Sequence, residues 1–169
     1  MADIPGFNAA IDVLSGPLRE SLARRMGVSA ITVLRDEARQ LAPMGKAEES
    51  AQRQYGGSIT PGLLKSAIYS GYDKKGSTKD LYRYLSSWNR RKAPHGHLIE
   101  FGHAQPYRIV FVNGHWVTLV NKPGTMRRTP AYPFLGPAYD AAKGRAYDAA
   151  IARAQIEFPA LVKENARGD

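Results

Sequence analysis

The chain has 169 residues, with 24 Lys and Arg against 15 Asp and Glu, a net charge of +9 that favours acidic partners, nucleic acid before membrane surface. That length suits one domain, which at this size buries about 70% of its unfolded surface; the lack of cysteine removes disulfides, thiolate zinc, iron–sulfur clusters and cysteine nucleophiles, and 43% apolar with 23% charged residues excludes wholesale disorder. No apolar run approaches the roughly eighteen residues of a membrane span, and Met1–Leu14 lacks the basic start and apolar core of a signal peptide, so a soluble protein made in a cytoplasm is expected.

Residues 1–14 have no sustained period and read as an N-terminal arm or short leader, ahead of a single domain over 15–169. Ser15-Gly16-Pro17 supplies a cap and an early proline for a first helix, with Leu18, Leu22 and Met26 on one stripe and Gly27 as its stop. A second helix from Ser29 carries Ile31, Leu34, Ala38 and Leu41 at steps of three and four, and Pro43 ends it. Met44–Ile59 is polar and aperiodic, a loop beyond the usual limit of about 12–15 residues, expected to order only against a neighbouring subunit. Leu63–Tyr72 fits a short helix or a strand, with a helical turn leading into a strand favoured, before the turn-rich Asp73–Ser77.

Leu81–Trp88 is rich in strand formers and gives way to Arg90-Arg91-Lys92 after Asn89. His97–Phe101 forms a short apolar element around Glu100, closed by Gly102. Tyr107–Val112 and His115–Val120 flank Asn113-Gly114, the pair that best meets the positive-φ demand of a two-residue hairpin turn. Asn121–Pro133 reads as a loop, and Ala138–Phe158 as an alanine-rich helix launched by Pro137. Its inner side is expected to be Tyr139, Ala142, Ala146, Ala150 and Ala154, with Pro159 kinking or ending it. The class predicted is α+β: a mostly antiparallel sheet with two N-terminal helices and one long C-terminal helix packed on it. No internal repeat or linker calls for a second domain.

Three of the four histidines, His95, His97 and His103, lie within nine residues that also include Glu100. On a strand His95 and His97 would point the same way and Glu100 could add an oxygen, a donor set suited to zinc or non-haem iron; the competing expectation, which we favour, is polar surface. The stretch Gly71–Thr78 has two glycines five apart, but Ser77 stands where a phosphate-binding loop needs lysine. No Gly-x-Ser-x-Gly elbow occurs, and Gly56-Gly57-Ser58 offers no paired base. Tyr82, Tyr84 and Trp88 precede Arg90-Arg91-Lys92, either as bases' stacking partners beside phosphate ligands or, as we favour, as a buried strand face with a solvated rim.

Three blocks in this order carry a resemblance. They are Ala38-Arg39-Gln40-Leu41-Ala42-Pro43 followed by Thr60-Pro61-Gly62-Leu63-Leu64-Lys65-Ser66-Ala67-Ile68; then Ser87-Trp88-Asn89-Arg90-Arg91-Lys92-Ala93-Pro94-His95-Gly96-His97-Leu98-Ile99-Glu100-Phe101-Gly102-His103; then Tyr132-Pro133-Phe134-Leu135-Gly136-Pro137-Ala138-Tyr139-Asp140. Together they resemble the neck or tail-completion family of long-tailed bacteriophages, over about Leu34 to Phe158. The resemblance implies a structural virion protein and no enzyme, without cofactor or metal, forming a ring, with six copies favoured, at the head–tail junction. Its implied partners are further copies of itself, the head-closure or connector ring, the tail terminator or tail tube, and genomic DNA crossing the lumen without sequence specificity; no membrane is implied.

Under that resemblance Glu100 is expected to pair with Arg90 or Arg91 at a subunit seam, and Phe134 to seat the last helix on the sheet. Candidate interface residues are Arg90, Arg91, Glu100, Phe101, Asn113, Gly114 and Phe134, and candidate DNA-facing residues are Lys74, Lys75, Arg127 and Arg128. Closed rings need two different complementary patches per subunit, and Met44–Ile59 and the hairpin around Asn113-Gly114 are the candidates. The alternative is a small basic nucleic-acid-binding protein or a metal-dependent nuclease using His95, His97, Glu100 and His103.

Overall fold

The apolar stripe of Leu18, Leu22 and Met26 runs on past Gly27 into Ile31 and Ala38, so one 26-residue helix, α1 (Gly16–Leu41), replaces the two expected from the sequence. Gly27 is not a stop. A β-carbon there would overlap the Tyr84 ring, whose hydroxyl donates to the Arg24 carbonyl at 3.0 Å, so the glycine opens a notch into which the tyrosine packs. One helical glycine costs about 1 kcal/mol, which burial of Leu22 and Ile31 on either side of it readily offsets.

The computed structural model of the chain describes Leu14 and residues 16–44, 61–78, 81–120 and 126–166. The expected arm over residues 1–13, the cap at Ser15 and nearly all of the predicted Met44–Ile59 loop lie outside the described residues. After α1 come α2 (Leu63–Ala67), β1 (Ile68–Tyr72), β2 (Tyr84–Trp88), α3 (Gly96–Phe101), β3 (His103–Gln105), β4 (Tyr107–Val112), β5 (His115–Val120), β6 (Arg127–Thr129) and α4 (Leu135–Asn165). The α+β class and the long C-terminal helix hold. Among the described residues, however, the strands form three separate antiparallel pairs, β1 with β2, β3 with β6 and β4 with β5, in place of one sheet.

Leu63–Tyr72 divides as predicted into a helical turn and a strand, with Ile68 opposite Trp88 and Tyr72 opposite Tyr84. The Asn-Gly hairpin forms at the predicted positions, with Asn113 at φ 50° and Gly114 at φ 80°, the two positive dihedrals that match strand twist. Part of the expected 121–133 loop is instead β6, whose Arg128 faces Ala104 of β3. Residues 121–125 lie outside the described residues.

Helix α4 starts three residues before the expected Ala138 and continues through Pro159, because Leu161 beyond the proline is buried with Leu14, Leu22 and Ala154. Its inner side is Ala138, Ala142, Ala146 and Ala154; Tyr139, expected inside, is 57% exposed with Lys143 over its ring. Alanine every fourth position leaves no side-chain bulk between the axes, so α1 and α4 pack closely along their length. Glu37 pairs with Arg145 at 2.6 Å and Arg25 with Glu157, which fixes the two helices antiparallel and in one register.

Candidate functional site

The three blocks that carry the resemblance meet in one core. Ala38, Ala42, Leu64, Ala67 and Ile68 from the first, Trp88 and Ala93 from the second, and Phe134 and Ala138 from the third form a single buried cluster. Phe134 is wholly buried and meets the Trp88 ring edge-on, 6.0 Å between centroids. Arg39 donates from Nε and Nη2 to the Ile68 carbonyl at 3.2 and 2.7 Å, joining the end of α1 to the start of β1.

Glu100 joins the second block to the third. Its side chain is buried, 8% exposed, and Oε2 accepts the backbone N–H groups of Phe134 at 2.8 Å and Leu135 at 3.3 Å. These are the opening amides of α4, where the helix has no cap from its own N-cap side chain. A carboxylate here satisfies orphan donors and faces the positive end of the helix dipole. The expected seam pair with Arg90 or Arg91 is therefore corrected: the acid is spent inside the subunit, and among the described residues no carboxylate reaches either arginine. Phe134 likewise anchors α4 from the interior and is unavailable to a second subunit.

The long Trp-to-His run has a structural account residue by residue. Asn89 Oδ1 accepts the amides of Arg91 at 2.9 Å and Lys92 at 3.2 Å, closing a turn that turns Arg90, Arg91 and Lys92 outward. Ala93 is buried beneath it, and Gly96 leaves room for the Trp88 indole, which a β-carbon would overlap. Gly102 has φ 67°, and a β-carbon would stand 2.8 Å from the Thr129 carbonyl oxygen, so the Glu-Phe-Gly element can end only in glycine as it passes β6. Phe101 between them is 77% exposed, a large apolar side chain left on the surface.

The remaining candidates fall in three places. Lys74 and Lys75 are exposed in the turn between β1 and β2, Arg128 is exposed on β6 beside Arg127, and Asn113 and Gly114 form the exposed hairpin tip. His95 stands at the N-cap of α3 and His97 within the helix, and Glu100 is engaged at α4; among the described residues no three His, Asp or Glu side chains are placed to hold a metal ion, so the alternative donor set does not assemble there. Of the expected buried face of Tyr82, Tyr84 and Trp88, Trp88 is buried, Tyr84 is half-buried against α1, and Tyr82 is half-buried ahead of β2.

Sequence reasoning missed Tyr69 and Leu85. They lie on the side of the β1–β2 pair away from α1, Tyr69 opposite Ser87 and Leu85 opposite Gly71, both partly exposed beside Arg90 and Arg91. The signal was the strict alternation around them: Ile68 and Trp88 in, Tyr69 and Ser87 out. Burial against α1 pushes the Tyr84 phenol above its ordinary 10.0, with the Arg24 guanidinium pulling it down less strongly. Among the described residues no helix is long and apolar enough to cross a membrane. No protein-family model, curated protein or solved structure matches this chain.

Proposed function

We propose that this chain is a structural virion protein of a long-tailed phage, a subunit of a ring at the head–tail junction that joins tail to head and surrounds the DNA exit path. The observation that carries the proposal is the joint between Glu100 and the Phe134 and Leu135 amides. It accounts for why a Glu-Phe-Gly element and a Pro-Phe-x-x-Pro-Ala element belong to one pattern: the first caps the helix that the second begins. The candidate residues Glu100 and Phe134 serve packing, and among the described residues no group of three or more His, Asp or Glu is placed to hold a metal ion.

Ring contacts then fall to surface residues. The hairpin β4–β5 exposes Tyr107, Val112, Val117 and Val120, and a two-stranded hairpin of this kind is marginal in water until a neighbour covers it. Phe101 adds a second exposed apolar contact. Further copies of the chain, a head-closure ring and a tail terminator or tube are the proposed partners, assembled in the host cytoplasm and retained in the virion.

Light scattering on the purified 18.6 kDa chain, followed by negative-stain imaging, tests this. A closed ring, six copies expected, is the supporting result. A chain that stays monomeric both alone and when mixed with the head-closure and tail-tube rings of its phage would overturn it.

A further inference from the structure

The surplus of nine positive charges is not spread over the chain. Residues 61–134 hold twelve of the 24 Lys and Arg but only three of the 15 Asp and Glu, so the whole surplus lies there and the remainder of the chain is neutral. One of those three acids is Glu100, turned inward. The basic half is thus the half that carries the strands.

Within it, the outer side of the β1–β2 pair forms an open groove of about 790 Å³, lined by Tyr69, Leu85, Ser87, Asn89, Arg90 and Arg91 among others. Its polar groups are biased to donation. Asn89 spends Oδ1 on the Arg91 and Lys92 amides, which leaves its NH₂ to point elsewhere, and the two guanidiniums can only donate. Among the described residues no carboxylate lines the groove. Arginine, asparagine and serine donors around an exposed tyrosine are the residue types that hold a sugar–phosphate backbone without reading bases.

We infer that this groove is a sequence-independent contact for the phosphate backbone of duplex DNA, with Arg90 and Arg91 as the phosphate ligands. The assignment deepens the proposed function and rests on it for the presence of DNA, naming the strand side as the DNA-facing side and moving Arg90 and Arg91 from a subunit seam to the lumen. The groove belongs to a single subunit, so its affinity is measurable whether or not a ring forms. An acidic surface on a second copy is the competing occupant, and solution mass separates it from DNA.

The test is fluorescence anisotropy with a labelled random-sequence duplex between 50 and 200 mM NaCl, as orders of magnitude for the salt range over which counterion release is read. Wild type is compared with Arg90→Glu/Arg91→Glu and with Lys143→Glu/Lys163→Glu, an equal charge change on α4. The groove variant is expected to bind at least about tenfold more weakly and to lose about two from the log–log salt slope, at about 0.9 per phosphate contact. The α4 variant should keep the slope. Arg90→Gln/Arg91→Gln should lose the same slope without added repulsion, and circular dichroism verifies that each variant is folded. Equal weakening by both charge reversals, no weakening by either, or a groove variant whose solution mass falls would overturn the inference. A wild-type ring without DNA affinity overturns the groove and leaves the ring standing; a chain that binds DNA through Arg90 and Arg91 but stays monomeric both alone and with the head-closure and tail-tube rings does the reverse.

Discussion

Where α1 meets α4, Arg25 faces Glu157 and Glu37 faces Arg145, pairs twelve residues apart on both helices; on the β1–β2 pair, Lys74, Lys75, Arg90 and Arg91 stand with no carboxylate against them among the described residues. The helix pair neutralises itself, and crossing the sign of the charges between two points about 18 Å apart along the axes fixes its direction and register. Each such pair adds about 0–1 kcal/mol, so its service is specificity while the buried alanines and leucines supply stability. Like charges left unpaired on the strand side do nothing for the fold and oppose it slightly. Charge that does not stabilise the subunit is charge available to a partner.

The largest expected effect on that contrast comes from Glu100, the one buried acid among the described residues. Glu100→Ala strands two amides at the start of α4 and is expected to cost about 3 kcal/mol, lowering the melting temperature by roughly 6–12 °C. Glu100→Gln, which can still accept, should lose about half as much. A thermal scan that leaves both variants at the wild-type midpoint would remove the joint between the layers.

Gly27→Ala comes next. Helix propensity alone would make it stabilising by about 1 kcal/mol, whereas overlap with Tyr84 makes it destabilising by about 1–3 kcal/mol. In a Tyr84→Ala background the notch is vacant, so the same change should turn stabilising; urea unfolding of the four proteins reads that reversal of sign, and no reversal would mean that Gly27 acts through the helix alone.

Smaller still is the charge register. Exchanging Glu37→Arg with Arg145→Glu should restore most of the loss of under about 1 kcal/mol produced by either change alone. Two losses that simply add would deny that the pair senses register. Tyr84 supplies the smallest effect: with its folded pKa raised above 10.0, the native state holds the proton longer than the unfolded chain, so the phenol's contribution is full below pH 10 and declines as pH rises beyond it. Tyr84→Phe should flatten that decline in a pH series of unfolding curves.

The elements legible in the sequence were those whose signal is local. Asn113-Gly114 between β-branched runs carries its turn in two residues, and the helical turn into Ile68–Tyr72 needed only its own pattern. The errors share a cause in contacts distant along the chain. Gly27 reads as a stop until Tyr84, 57 residues later, fills it, and Pro159 reads as an end until Leu161 reaches the cluster of Leu14 and Leu22. Glu100 reads as a partner for Arg90 or Arg91 because its actual partners are backbone amides 34 and 35 positions away, which have no residue type to betray them. β6 is three residues long, too short for any period, and exists through its pairing with β3. Of the candidate site, the arginines and the hairpin tip were visible as exposed types, while Tyr69 and Leu85 needed the strand register.

The most direct test of the account is the thermal unfolding of Glu100→Arg, read alongside its solution mass. A cation facing the opening amides of α4 from inside the core should abolish the cooperative transition or lower its midpoint by more than about 10 °C. A variant that melts as wild type does but fails to assemble would contradict it, returning Glu100 to a subunit seam.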